Sequence, residues 1–291
     1  MAFVASVEST ASQRVFERLT VAPLTPSIGA EISGIDLAQA QDDATIAEVR
    51  AALLAYKVIF FRDQFITPEQ HIAFARRFGP LEIHPATPKG QPNPEVLHIA
   101  HGPDSRGREN EWHSDVTWRA EPSLGSILRA IEVPEVGGDT LFADMAAAFR
   151  GLSPAMQDWC RSLSAVHDIA RVFAKRLGKS IEELHEQYPP QLHPVVRTHP
   201  ETGEQALYVN TAFTSHIEGV SAKESEWLLA HLYAQAAVPE IQCRFRWRAG
   251  SIAFWDNRAG QHYAASDYFP AVRRMERVTI AGDRPFYRDE R

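Results

Sequence analysis

The sequence predicts an α+β, mainly β protein: a jelly-roll, cupin-like double sheet with helices packed outside it. Three observations point there. Short apolar or alternating runs recur along the chain, few segments between them carry a helical period, and no repeat, low-complexity tract or Gly/Ser linker divides them. Strands so connected pair mostly antiparallel, because a parallel pair needs a long crossover, usually a helix. Many short strands with a few helices then close as two facing sheets.

In chain order, residues 1–15 read as a flexible N-terminal arm and 16–291 as a single domain. Helical spacing over 44–56 puts Ile46, Val49, Leu53 and Leu54 on one face. Thr67-Pro68-Glu69-Gln70 is a capping box with proline at the first helical position, and Gly79-Pro80 ends that helix near Phe78. A further helix is expected over 221–235, and strands at 58–62, 126–131, 141–143, 195–198, 207–210, 241–247, 252–255 and 273–281. The stretch 85–111 is long, polar and rich in Gly, Pro, Asn and His, and reads as a functional or disordered loop.

Composition narrows the function. With 44% hydrophobic and 23% charged residues the chain is an ordinary globular protein. A net charge of −7 without a basic run argues against nucleic acid or an anionic membrane as partner. Any anionic substrate must then be held by local arginines. Cys160 and Cys243 form no CxxC or zinc spacing and read as buried small hydrophobes in a reducing compartment. The N-terminus lacks a secretory pattern and the apolar runs are too short to span a bilayer, so a cytoplasmic location is expected.

The chemistry concentrates in Trp112-His113-Ser114-Asp115 and Trp255-Asp256-Asn257-Arg258-Ala259-Gly260-Gln261-His262. Two residues apart on an extended strand, His113 and Asp115 share a face. His262, 149 positions on (262 − 113), would complete two imidazoles and one carboxylate around a metal with open positions, the set that suits non-haem Fe(II). A His near a carboxylate is also a common surface hydrogen bond, and the residues alone leave both readings open. On the strand at 273–281, Arg273 and Arg277 face one way; Arg274 and Glu276 face the other, where they can pair with each other. Two such arginines can each fork onto an anion or form structural ion pairs. Gly137-Gly138-Asp139-Thr140 is a tight turn whose Thr140 hydroxyl can reach the same anion; it lacks a phosphate-loop pattern. Of the remaining histidines, His71 is expected on an exposed helix face, His193 and His199 in structural hydrogen bonds, and His167, His185, His216 and His231 without an acidic partner. His84, beside the long loop, can reach a cavity mouth.

These motifs, with His193-Pro194-Val195-Val196-Arg197-Thr198-His199-Pro200 and Gln261-His262-Tyr263-Ala264, together resemble the taurine dioxygenase family, from about Leu19 to Tyr287. The resemblance implies a double-stranded β-helix core and an Fe(II)- and 2-oxoglutarate-dependent dioxygenase that uses O2. It implies His113, Asp115 and His262 as iron ligands, and Thr140 and Arg273 at the distal carboxylate of 2-oxoglutarate. Arg277, His84 and Phe213 would then meet the substrate. The implied reaction hydroxylates the carbon next to a sulfonate, of taurine or a related alkylsulfonate, and releases sulfite and an aldehyde with succinate and CO2. Relatives also imply a homo-oligomer, dimer or tetramer.

The chain departs from taurine-using members at Thr87, where they carry tyrosine, and at Glu109, where they carry asparagine. Alkyl sulfate esters and phenoxyalkanoates therefore remain alternative substrates. A zinc hydrolase using the same triad is the reading from another class. A ligand sensor with a degenerate site would not need the complete set of five residues.

Overall fold

Strand Val58–Phe61 is buried at all four positions, because it lies inside a sheet covered on both faces. Ile59 and Phe61 point into one core with Ile127, Ile252, Phe254 and Val278. Val58 and Phe60 point into another with Leu128, Trp255, Phe142 and Phe245. This period-two division of one strand between two cores is the signature of a sheet with helices outside and a second sheet inside.

The computed structural model describes residues 16–84, 87–88 and 90–289, so the arm expected at 1–15 lies outside the described residues. The main sheet runs in the order Thr20–Pro23, Ala30–Ser33, Val58–Phe61, Ile252–Asp256, Gly125–Glu132, Arg273–Ile280, Leu81–Glu82, and Val96–His101 also pairs with Arg273–Ile280. Its pairings are antiparallel except that of Ala30–Ser33 with Val58–Phe61, which helix Asp43–Tyr56 connects as a crossover. Facing it is a sheet of Gln242–Phe245, Thr140–Asp144 and Gly260–Ala264. The result is the expected jelly roll.

The expected helices form. Asp43–Tyr56 is capped by Asp42, whose side chain accepts from Thr45 N, and buries Ile46, Val49 and Leu53 while Leu54 is only half-buried. The capping box of Thr67 and Gln70 starts Pro68–Arg76, and Ser221 with Glu224 starts Ala222–Gln235. Helices Met145–Arg150, Pro154–Arg161, Ala170–Leu177 and Ile181–Gln187 were not expected; two turns are too short to display a 3.6-residue period. No helix among the described residues is long and apolar enough to cross a membrane.

Several expectations are corrected. The polar stretch 85–111 contains strand Val96–His101, which takes its order from pairing with Arg273–Ile280 and not from its own pattern. His71 is fully buried; its Nε2–H donates to Ile127 O at 3.1 Å. Arg274 does not pair with Glu276 but with Glu132 at 3.0 Å, and Glu276 takes Arg129 at 2.7 Å. Residues opposite each other on neighbouring antiparallel strands lie closer than i and i+2 on one strand, so the cross-strand partners win. His185 does have an acidic partner, Asp168 at 3.0 Å, and His216 lies 3.7 Å from Glu218. His193 and His199 make the expected structural bonds, to Thr117 O and to Asp256. Both cysteines are free and buried.

Candidate metal centre

His113 reaches the centre through two backbone bonds. Its N–H donates to His262 O at 3.1 Å, and His262 N–H returns to His113 O at 2.8 Å. This isolated bridge docks the incoming chain on strand Gly260–Ala264. Beyond it the chain does not continue as the expected extended strand. It turns at Val116, whose φ of 49° is costly for a β-branched residue. Asn257 holds that turn: its Oδ1 accepts from Asp115 N at 2.6 Å, and its Nδ2 donates to Asp115 O at 2.9 Å and to Ser123 O at 3.1 Å.

The turn still brings the side chains together. Asp115 Oδ1 is 3.9 Å from His113 Nε2 and 4.0 Å from His262 Nε2. One ligand atom from each of the three residues lies within 4.8 Å of the others. Glu111 O accepts from His113 Nδ1–H at 2.8 Å, which leaves Nε2 with its lone pair towards the cluster. Burial, and then His113, push the His262 imidazole down to about 3, so it is neutral at neutral pH. Burial alone would push the Asp115 carboxyl up, but Arg277, His262 and His113 outweigh it and hold it below the usual carboxylate range. A neutral His262 imidazole and an ionised Asp115 carboxylate are protonation states that suit binding of a divalent cation. The donor set fits non-haem iron.

Strand Arg273–Ile280 carries two guanidiniums: Arg273 is buried, and Arg277, half-buried, reaches the cluster. Arg273 Nε donates to Gly138 O at 3.2 Å, and its Nη2 is buried without a hydrogen-bond partner among the described residues. Trp247 Nε1 donates to Thr140 Oγ1 at 2.9 Å, so the Thr140 hydroxyl keeps its own proton to give. Arg273 lies 5.9 Å from the rings of Trp247 and Tyr268. A buried cation with an unmet donor beside a hydroxyl is a fitting anion site. Gly138 belongs to it: φ is 70°, and a Cβ there would stand 3.2 Å from Arg273 Cδ and Tyr268 Cδ1.

Arg277 opens on the other side, into a cavity of about 200 Å³ that His84, Phe213, His113 and Asp115 also line. Its Nη1 donates to Asp115 Oδ1 at 2.9 Å, and its Nε is buried without a hydrogen-bond partner among the described residues. Burial, and then Arg277, push the His84 imidazole down to about 4. Leu97, Ile99, Val116, Trp118, Val172 and Phe173 make the rest of the wall largely apolar. Glu109 lines it too; its Oε2 accepts from Arg108 N at 3.0 Å, and its Oε1 lies 3.9 Å from Arg176 Nη1. Thr87 N–H donates to His84 O at 2.8 Å.

The structure thus brings His113, Asp115 and His262 into one cluster, with Thr140 and Arg273 at one guanidinium site and His84, Phe213 and Arg277 at another. Sequence reasoning missed Asn257, Trp247, Tyr268, Arg176 and Ser126, which donates to Asp115 Oδ2 at 3.1 Å. Asn257 sits inside the Trp255–Arg258 motif and was visible as a residue, but its role of joining three distant backbone groups was not.

A jelly roll with a cluster of two histidines and one carboxylate, and with arginines on a neighbouring strand, defines the class of non-haem iron oxygenases. The family model described as "Taurine catabolism dioxygenase TauD, TfdA family" matches residues 20–279, and the chain belongs to that family. It is 38% identical over 278 residues to an alpha-ketoglutarate-dependent sulfate ester dioxygenase of Pseudomonas putida, covering 92% of this chain and 91% of the relative. It is 34% identical over 283 residues to an alpha-ketoglutarate-dependent sulfonate dioxygenase of Saccharomyces cerevisiae, covering 92% of this chain and 68% of the relative. Among solved structures, a taurine dioxygenase from Burkholderia xenovorans matches with a TM-score of 0.82 and 40% identity, over 94% of this chain and 93% of that one. The protein is an Fe(II)- and 2-oxoglutarate-dependent dioxygenase, which decides against the zinc-hydrolase alternative.

Proposed function

We propose that the protein hydroxylates the carbon next to the sulfo group of an alkylsulfonate with an apolar chain. The observation that carries this is the cavity beside the triad: a guanidinium, Arg277, at the metal end and a largely apolar wall beyond it. Glu109, which accepts from Arg108 N at 3.0 Å and lies 3.9 Å from Arg176, already has cationic and N–H partners in place of the ammonium of taurine. An alkyl chain therefore suits the wall better than an aminoethyl group.

In this reading His113, Asp115 and His262 hold Fe(II), and Arg273 with Thr140 takes the distal carboxylate of 2-oxoglutarate. With both bound, O2 oxidatively decarboxylates 2-oxoglutarate to succinate and CO2 and puts a hydroxyl on the substrate carbon. Arg277 fixes the sulfo group, with neutral His84 beside it as a hydrogen-bonding partner, so that the adjacent C–H faces the metal. Phe213, its ring 6.3 Å from that of His113, closes the cavity wall and excludes water. The resulting α-hydroxysulfonate loses its hydroxyl proton as the C–S bond breaks, giving aldehyde and sulfite. The chain works as one domain, and its free buried thiols suit a reducing compartment such as the cytoplasm.

A sulfate ester is the second reading, favoured by the 38% identity to the sulfate ester dioxygenase, because Arg277 meets the same three oxygens in either head group. The test is succinate formation with Fe(II), 2-oxoglutarate and O2 over alkylsulfonates, alkyl sulfates, taurine and phenoxypropionates. Substrate-stimulated succinate with sulfite is the expected result. Sulfate in place of sulfite selects the ester reading, and stimulation by phenoxypropionates alone refutes both.

A further inference from the structure

The cavity that begins at Arg277 also reaches Arg108 and Arg176, and these two residues line a larger outer cleft of about 610 Å³ with Arg171 and Lys175. The two spaces share a wall. Four cations face the outer cleft against a single carboxylate, Glu111, in a chain whose net charge is −7. Arg176 has Glu109 for a partner. Among the described residues the side chains of Arg108, Arg171 and Lys175 have no ion-pair partner.

Helix energetics do not account for this pattern. Lys175 and Arg176 in the last turn of Ala170–Leu177 suit the negative end of the helix dipole. Arg171, in the first turn, opposes it, and Arg171 with Lys175 is a like-charged pair four residues apart on one face. Local choices that work against the element they sit in mark functional surfaces. Glu109 shows that a carboxylate is already drawn to this cluster from the side of the inner cavity.

We propose that the cleft is an outer anion subsite, which takes a second anionic group at the far end of the substrate. The ligand class is a linear aliphatic dianion with a sulfo group at one end and a carboxylate or sulfonate at the other. Its chain passes Val172 and Phe173 along the shared wall, and the unpaired cations Arg171 and Lys175 of the outer cleft separate dianionic from monoanionic substrates. This rests on the assignment of Arg277 to the sulfo head.

The test is anaerobic calorimetric titration of protein loaded with Fe(II) and 2-oxoglutarate, comparing alkane-α,ω-disulfonates with alkanemonosulfonates of the same chain length. The disulfonate of matching length is expected to bind roughly tenfold tighter, a preference that fades at high ionic strength. The double variant Arg171→Ala/Lys175→Ala, at exposed positions, is expected to abolish the preference and leave monosulfonate affinity unchanged. Equal affinities in the wild type, or a preference that survives in the double variant, overturns the subsite. Arg277→Ala separates the two assignments. It weakens both probes if the head-group assignment holds; if it weakens neither while the double variant still removes the preference, the outer subsite stands without that assignment.

Discussion

Arg277 Nη1 stands 2.9 Å from Asp115 Oδ1, the oxygen that also faces His113 Nε2 at 3.9 Å and His262 Nε2 at 4.0 Å. The metal cluster and the cavity's arginine therefore share one carboxylate oxygen.

That sharing separates the roles of the two arginines on strand Arg273–Ile280. Arg277→Ala is expected to raise KM for the sulfo-substrate roughly 30-fold or more, the loss of about 2 kcal/mol seen when one partner of a buried charge pair is removed. Decarboxylation of 2-oxoglutarate without substrate should persist. Arg273→Ala should instead raise KM for 2-oxoglutarate. Steady-state kinetics with each ligand varied would expose a reversed assignment.

His262→Ala should abolish metal binding, because it removes one of three ligands at a position that also completes the backbone bridge to His113. Metal content after Fe(II) loading under nitrogen reads this directly. A variant that keeps one iron per chain refutes His262 as a ligand.

Asn257 touches no predicted ligand atom, yet it holds Asp115 N, Asp115 O and Ser123 O. Asn257→Ala should lower Fe(II) affinity by roughly 10–100-fold, as loss of an outer partner of a ligand does. Thermal stability should fall as well, since three buried backbone groups lose their partner. Unchanged metal affinity with lowered stability would leave Asn257 a purely structural residue.

Gly138→Ala combines a φ of 70° with a Cβ 3.2 Å from Arg273 Cδ. The backbone cost is about 1–2 kcal/mol, and the displaced guanidinium should raise KM for 2-oxoglutarate while metal content stays the same. An unaltered KM would separate this turn from the cosubstrate site.

His71 makes stability depend on pH. Burial, and then Arg129, push its imidazole down to about 3 from an ordinary value of 6.5. The unfolded chain accepts the proton near 6.5 and the folded chain refuses it until about 3. Its contribution is therefore complete above 6.5 and is lost as pH falls through that window, at about 1.4 kcal/mol per unit. Urea unfolding of wild type and His71→Gln between pH 7 and 5 checks this: the variant should show a shallower decline. Parallel slopes would mean that His71 does not stay neutral.

The chain by itself determined the class of fold, the helices Asp43–Tyr56, Pro68–Arg76 and Ala222–Gln235, and the identity of the chemistry-bearing residues. Those features depend on local pattern: short apolar runs such as 58–61, the Thr67–Gln70 box, and His113, Asp115 and His262 in recognisable motifs. Tertiary structure decided what depends on partners distant in sequence. Strand Val96–His101 exists because Arg273–Ile280 offers it a ladder. Arg274 and Glu276 part company because Glu132 and Arg129 stand opposite them, and His71 is buried because the sheet closes over it. Asp115 meets the histidines through a turn at Val116, not along a strand, since three bonds from Asn257, 142 residues away from Asp115, hold that strained conformation. Side-chain type is local, but burial, pairing and the energy that holds an unfavourable dihedral come from contacts no window of sequence contains.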